Sequence, residues 1–155
     1  MKIFVFDIDN TLILHTNKKT DFYQKSDSKI STLISDIKVD NVYIYTNGTY
    51  GHGEKVHESL NIPKTKKIFG RDTLPYMKPH IQSFHFVNGE IISENGRNND
   101  IYFFDDMVEN LLTAERIGWK TVWISPDFMQ KQRFIDYAFP NIYEALSFFK
   151  TNKKW

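Results

Sequence analysis

The sequence predicts an α/β protein, a three-layer sandwich built around a mainly parallel central sheet of five or six strands. Short apolar runs at residues 3–6, 42–45 and 101–104 have no polar interruption, as strands buried on both faces require. Segments of helical period separate them, giving a β-α alternation in units of about 20 to 30 residues, the pattern of a parallel sheet covered on both sides. Several of the runs end in small polar or acidic residues, where open parallel sheets bind their ligands.

In chain order, the strand at 3–6, with Ile8 just beyond, runs into Asp7 and Asp9. Residues 13–27 are polar, with Phe22 and Tyr23 as large apolar anchors, and read as a loop or small flap. Ser28 or Ser31 can cap a helix whose Ile30, Leu33, Ile34 and Ile37 share one face. The strand at 42–45 ends in Thr46-Asn47-Gly48, and a helix is expected over 54–60 with Pro63 beyond it. A short strand at 67–70 leads to a loop over 71–79 and a helix over 80–87. Residues 88–100, with two glycines and four asparagines, predict an exposed turn with a strand fragment at Ile91 and Ile92. The strand at 101–104 meets Asp105 and Asp106. A helix over 108–117 stops at Gly118, a strand follows at 121–124, a helix over 128–135 and a sixth strand at 137–139. Pro140 opens a last helix through 149, and the Lys-rich end is expected to fray. The whole reads as one Rossmann-like domain spanning 1–155.

Composition narrows the function. The chain has 155 residues, 41% hydrophobic and 25% charged, the profile of a globular domain. A formal net charge of +1 gives no bulk attraction to polyanions, so nucleic acid is a partner only through a local patch. With 0 cysteines, disulfides, thiolate metal sites and cysteine nucleophiles are excluded. No apolar stretch approaches the roughly 18 residues of a membrane span, and no signal-peptide pattern opens the chain; a cytoplasmic protein without a membrane partner is expected.

The chemistry gathers at the strand ends. Asp7 and Asp9, Thr46 and Asn47, Lys78, and Asp105 and Asp106 all fall after successive strands, which places them along one edge of a parallel sheet. Singly, Thr46 reads as a turn residue, Lys78 as a solvated lysine, and Asp105-Asp106 as acids favoured at a helix start. Together they suit phosphoryl chemistry. Mg²⁺ takes one or two carboxylates and keeps water and phosphate in its other positions. Lys78, the Thr46 hydroxyl and main-chain N–H groups near Asn47 and Gly48 can hold phosphoryl oxygens, and an aspartate can act as nucleophile. Among the histidines at 15, 52, 57, 80 and 85 no spacing points to zinc.

The motifs D-I-D-N-T-L at 7–12, Y-T-N-G at 45–48, Lys78-Pro79, F-F-D-D-M-V-E-N-L at 103–111 and G-W-K-T-V-W at 118–123 together resemble the haloacid dehalogenase (HAD) superfamily of phosphotransferases over nearly the whole chain. The resemblance implies an aspartyl-phosphate mechanism with Asp7 as nucleophile, Asp9 as general acid/base that also reaches the metal through its carbonyl, Asp106 as metal ligand, and Thr46 with Lys78 as the phosphate-binding pair. The D-N-T-L and D-D-x-x-x-N spellings are most similar to the pyrimidine 5′-nucleotidase branch, with Asn110 at the position of a family acid and Asp105 as compensating support. His15, three residues past the first motif, is a pocket candidate. About 30 residues separate Leu12 from Val42, so a capless or nearly capless phosphatase is expected, with 13–27 as its flap and no large cap domain.

The expected substrate is a phosphorylated molecule: a nucleotide-like monophosphate first, then a macromolecule such as a polynucleotide end or a phosphoprotein. A homo-oligomer supplying a lid in trans is compatible with so open a site. Two other classes remain: a non-catalytic phosphate-binding module of the same fold, and a signalling receiver domain, whose acidic pair precedes the phosphoacceptor, the reverse of the order here.

Overall fold

The computed structural model describes residues 1–15 and 28–155. Six parallel strands form one sheet: β1 (Lys2–Phe6), β2 (Asn41–Tyr45), β3 (Thr65–Phe69), β4 (Asp100–Asp105), β5 (Lys120–Ile124) and β6 (Tyr137–Phe139), in the spatial order β3-β2-β1-β4-β5-β6. Five helices lie among the described residues: α1 (Ser28–Asp36), α2 (Tyr50–Leu60), α3 (Ile81–Asn95), α4 (Val108–Arg116) and α5 (Ile142–Thr151).

β1 is the axis of the sheet because its side chains serve two cores. Phe4 and Phe6 pack with Ile30 and Ile34 of α1, Val56 and Leu60 of α2, and Leu146 and Phe149 of α5. Ile3 and Val5 face the opposite way, with Phe84, Val87 and Ile91 of α3 and Leu111 and Ala114 of α4. This is the period-two side-chain alternation of a strand covered on both faces. The chain builds β2 and β3 on one side of β1, then crosses to build β4, β5 and β6 on the other. The crevice beyond the ends of β1 and β4 is therefore the topological switch point of the sheet. Register fixes what projects there: Phe6 pairs with both Ile44 and Phe104, so Asp7, Tyr45 and Asp105 leave the sheet at one level.

Five details differ from the sequence reading. Helix α2 starts at Tyr50 rather than 54, because Thr49 caps it by accepting from the His52 N–H at 3.1 Å, and the glycines at 51 and 53 lie inside it. Gly53 is the contact point, since a Cβ there would stand 2.7 Å from Ile68. Helix α3 continues through Asn95, so residues 88–95 of the expected turn, its strand fragment included, are a helix whose Ile91 is wholly buried, and only 96–99 are a turn. Only a single 3₁₀ turn, Phe128–Gln130, forms where a helix over 128–135 was expected; Ile135 is buried and the Ile135 carbonyl accepts from the Lys131 ammonium at 3.1 Å, which closes the segment without a helix. The Lys-rich end does not fray: the Trp155 ring packs 5.4 Å from Phe4 and 5.2 Å from both Tyr102 and Phe149, and its indole N–H donates to the Phe149 carbonyl at 2.9 Å. Lys2 donates to the Trp155 carbonyl and lies over its ring. The fifth is the end of α4, which stops at Arg116 with Ile117 as its cap, one residue short of the expected bound. Of the expected flap, residues 16–27 lie outside the described residues.

Gly70, just past β3, lets that strand end touch the start of α2. A Cβ there would come within 2.4 Å of the Tyr50 nitrogen and 2.8 Å of the Thr49 carbonyl carbon, backbone atoms that cannot swing aside. Gly70→Ala is expected to destabilise the fold by about 1–3 kcal/mol, read as a lower midpoint in denaturant unfolding with an unchanged slope.

Candidate active site

Four chain segments meet at the switch point. The turn after β1 is tight: Thr11, Leu12 and Ile13 all donate main-chain N–H groups to the Ile8 carbonyl, and Asn10 takes a left-handed φ of 60°, a conformation that Asn tolerates better than most residues. This turn brings the Thr11 hydroxyl 3.0 Å from Asp7 Oδ2. From β2, Thr46 is buried and its Oγ1 accepts the Gly48 N–H at 2.9 Å. The loop after β3 is tied to the β2 loop by a reciprocal pair: the Asn47 amide donates to the Lys78 carbonyl at 3.0 Å, and Asn47 Oδ1 accepts the Lys78 N–H at 2.9 Å. The peptide that follows, Lys78-Pro79, is cis.

Lys78 is the electrostatic centre. Its ammonium donates to Asp7 Oδ1 at 3.0 Å, to Asp105 Oδ2 at 2.9 Å and to the Tyr45 carbonyl at 2.8 Å, satisfying its three donors. It is 4% exposed and Asp105 is wholly buried, so solvent screens neither charge. Burial pushes the lysine pKa down, but the Asp105 and Asp7 carboxylates outweigh it and hold Lys78 above its ordinary value, so it is a fixed cation. Asp105 Oδ1 accepts the Met107 N–H at 2.8 Å and its Oδ2 also accepts from the Asn110 amide at 3.1 Å. Asn110 thus braces the acid that holds Lys78.

Asp7, Asp105 and Asp106 each offer an oxygen within 4.8 Å of the others. Burial, and then the charge of Asp7, pushes Asp105 up to about 6. Asp106 goes to about 8, first through burial and then through the charges of Asp105 and Asp7. Three acids, one lysine and a wall of apolar strand ends leave excess negative charge that a hard cation would neutralise. The all-oxygen donor set suits Mg²⁺. With Asp105 engaged by Lys78, Met107 and Asn110, Asp7 and Asp106 are the carboxylates that would face such an ion.

Asp9 leaves the same turn toward solvent, its side chain 40% exposed. Its Oδ1 lies 2.7 Å from His15 Nε2 and 3.2 Å from His52 Nε2. The structure therefore brings together every residue singled out in the sequence: Asp7, Asp105, Asp106, Lys78 and Asn110 in the buried part, Thr46 and Asn47 in the loop beside it, Asp9 and His15 at the rim. Thr11 and His52 complete the set. Thr11 stands four residues past Asp7 within the first motif. The one sequence signal for His52 is its place in the first turn of the helix that follows Y-T-N-G.

No protein-family model and no curated protein matches the chain. Solved structures do match its fold. A HAD-hydrolase of Bacillus subtilis, YfnB, in a magnesium-bound form, superposes with a TM-score of 0.62 at 21% identity, covering 76% of this chain and 53% of that protein. An L-2-haloacid dehalogenase from Xanthobacter autotrophicus, carrying covalently bound chloropropionic acid, gives 0.58 at 11% identity over 78% of this chain and 59% of its own. A second L-2-haloacid dehalogenase gives 0.55 at 13% identity. The chain spans about half the length of the structures it matches. Its fold is that of the HAD-type hydrolases.

Proposed function

We propose that this chain is a Mg²⁺-dependent phosphomonoester hydrolase of the HAD superfamily, capless or minimally capped and nearest the pyrimidine 5′-nucleotidase branch, working through an aspartyl-phosphate on Asp7. The observation that carries this reading is the buried Lys78 bridging Asp7 and Asp105, with Asp106 beside them, at the paired ends of β1 and β4.

Asp7 attacks phosphorus: a bond forms between its carboxylate oxygen and phosphorus, the ester P–O bond breaks, and the Asp9 carboxyl gives its proton to the departing oxygen. Thr11 and Lys78, each bonded to one oxygen of Asp7, hold the carboxylate at the end of β1. Lys78 then offers positive charge to the phosphoryl oxygens, together with the Thr46 hydroxyl. In the second half, water attacks phosphorus, Asp9 takes its proton, and the Asp7–phosphate bond breaks to release inorganic phosphate. Asp7 and Asp106, with the Asp9 carbonyl, would hold a Mg²⁺, which when bound would supply Lewis-acid neutralisation of the phosphoryl charge.

Between β2 and Lys78 the described chain makes only α2, β3 and a turn, which supports an open site without a cap in that interval. Leu14, Met77 and Met107 are exposed large apolar residues, and they adjoin His15, Lys78 and Asp106 in sequence. Exposed apolar residues next to these positions in the chain favour a substrate whose non-phosphate part is flat and apolar, such as a nucleobase, over a sugar phosphate. Nucleoside monophosphates are the first substrate class, phosphorylated macromolecules the second. A panel of nucleotides, sugar phosphates, phosphorylated oligonucleotides and phosphopeptides, with and without Mg²⁺, tests the reading: metal-dependent phosphate release fastest from nucleotides is expected, and metal binding with no turnover on any member would make the chain a binding module.

Ion binding has a pH signature. Burial raises Asp105 and Asp106 above their unfolded values, to about 6 and about 8. Their contribution favours the folded state below the ordinary carboxylate range and is lost as pH rises through those values. A cation offsets that loss and must otherwise displace a proton. Mg²⁺ is expected to raise the thermal midpoint more at about pH 8 than at about pH 5, measured by calorimetry. An equal increment at both pH values would refute binding at Asp106.

A further inference from the structure

We propose that His15 and His52 are positioning residues that hold Asp9 in its proton-transfer orientation; this rests on the phosphatase reading above. Asp9 is the one acid of the site outside the Lys78 cluster. Its side chain is 40% exposed, and an exposed carboxylate on a turn would sample several rotamers. Two imidazoles from different parts of the chain, six and 43 positions away, converge instead on the same oxygen, Oδ1, at 2.7 and 3.2 Å.

Each imidazole is itself held. The His15 main-chain N–H donates to Asn10 Oδ1 at 3.1 Å, so the left-handed residue that shapes the turn also fixes where His15 departs. His52 sits in the first turn of α2, its N–H capped by the Thr49 hydroxyl. Its ring occupies the space that Gly48 leaves: a Cβ on that glycine would lie 2.9 Å from the ring's Cδ2. The T-N-G-T segment thus does two things, tying Asn47 to the Lys78 backbone and leaving room for His52 to reach Asp9.

The consequence is a division of labour between the two carboxyl oxygens. With each ring in its Nε2–H tautomer, two N–H donors meet Oδ1, which acts as the anchored acceptor. The proton that Asp9 gives to the departing oxygen, and later takes from water, is carried on Oδ2. Losing either imidazole releases the carboxyl group without touching the nucleophile or the Lys78 cluster.

The test uses two leaving groups. An aryl phosphate departs as a stable phenolate and gains little from a proton donor, whereas a primary alkyl phosphate depends on one. In His52→Ala, and more so in the His15→Ala/His52→Ala pair, the loss of kcat on the alkyl ester is expected to exceed that on the aryl ester by about tenfold or more. His52→Gln, whose amide reaches the same position, is expected to recover most of the difference, and circular dichroism checks that each variant folds. Nitrogen NMR of the wild-type protein is expected to show both rings protonated at Nε2. Equal losses on the two esters, no loss, or rings protonated only at Nδ1 would overturn the proposal while the phosphatase reading stands. A wild-type protein that turns over neither ester would overturn both.

Discussion

Asp7→Asn is expected to abolish phosphate release, by at least about 10⁴-fold in kcat, and to leave the fold intact. The side chain is buried at the end of β1, and the replacement is nearly isosteric. An amide can keep its oxygen toward Lys78 or Thr11, but it cannot form the covalent phosphoryl ester. It also removes one of the like charges that push Asp105 and Asp106 up. The apo variant is therefore expected to be as stable as the parent or more so near neutral pH, while losing Mg²⁺-induced stabilisation. Mass spectrometry of acid-quenched parent protein, incubated with substrate, is expected to add one phosphoryl group, absent in the variant. Full turnover by Asp7→Asn would sink the covalent mechanism.

The second large effect is structural. Lys78→Met is expected to cost about 3–5 kcal/mol of folding stability, because it leaves Asp105 buried without its cation. It is also expected to lower kcat by about 10²–10³-fold through loss of charge opposite the phosphoryl group. The direction with pH separates this from a packing defect. Without Lys78 the pKa of Asp105 rises further, so the acid enters the folded state protonated at low pH and must be charged or paid for at high pH. The deficit relative to the parent is therefore smallest at acid pH and grows as pH rises. Urea unfolding at several pH values measures it; a pH-independent deficit would mean that only packing had been lost.

Most of the sheet was legible because a parallel strand buried on both faces writes itself as an unbroken apolar run, and residues 3–6, 42–45 and 101–104 do so. The acids were legible for the same reason, standing where such a run stops. The misread segments are those where local chemistry and tertiary context disagree. Gly51 and Gly53 look like breakers, but Gly53 is where α2 presses onto Ile68. Asn88, Gly89 and Asn95 look like a turn, but burial of Ile91 and the hydrogen bonds of Asn95 to Tyr43 and to the Ile91 carbonyl carry α3 through. Lys153 and Lys154 disguise a docked Trp155. His52 could not be read from the sequence because its partner is 43 residues away, and only the fold brings a helix start and a strand-end turn to one carboxylate.

The buried lysine between two acids also bears on how the sheet assembles. Asp7 and Lys78 are 71 residues apart, and Lys78 and Asp105 are 27 apart; the three charges meet only when β1, β2, β3 and β4 have found their partners. A one-residue slip of β4 along β1 would turn Asp105 to the opposite face and leave Lys78 sealed in with one acid. Apolar strands as similar as F-V-F and Y-F-F would tolerate several alignments on hydrophobic grounds alone. The ion triad does not, so the same cluster also serves as the key that admits a single alignment of the sheet.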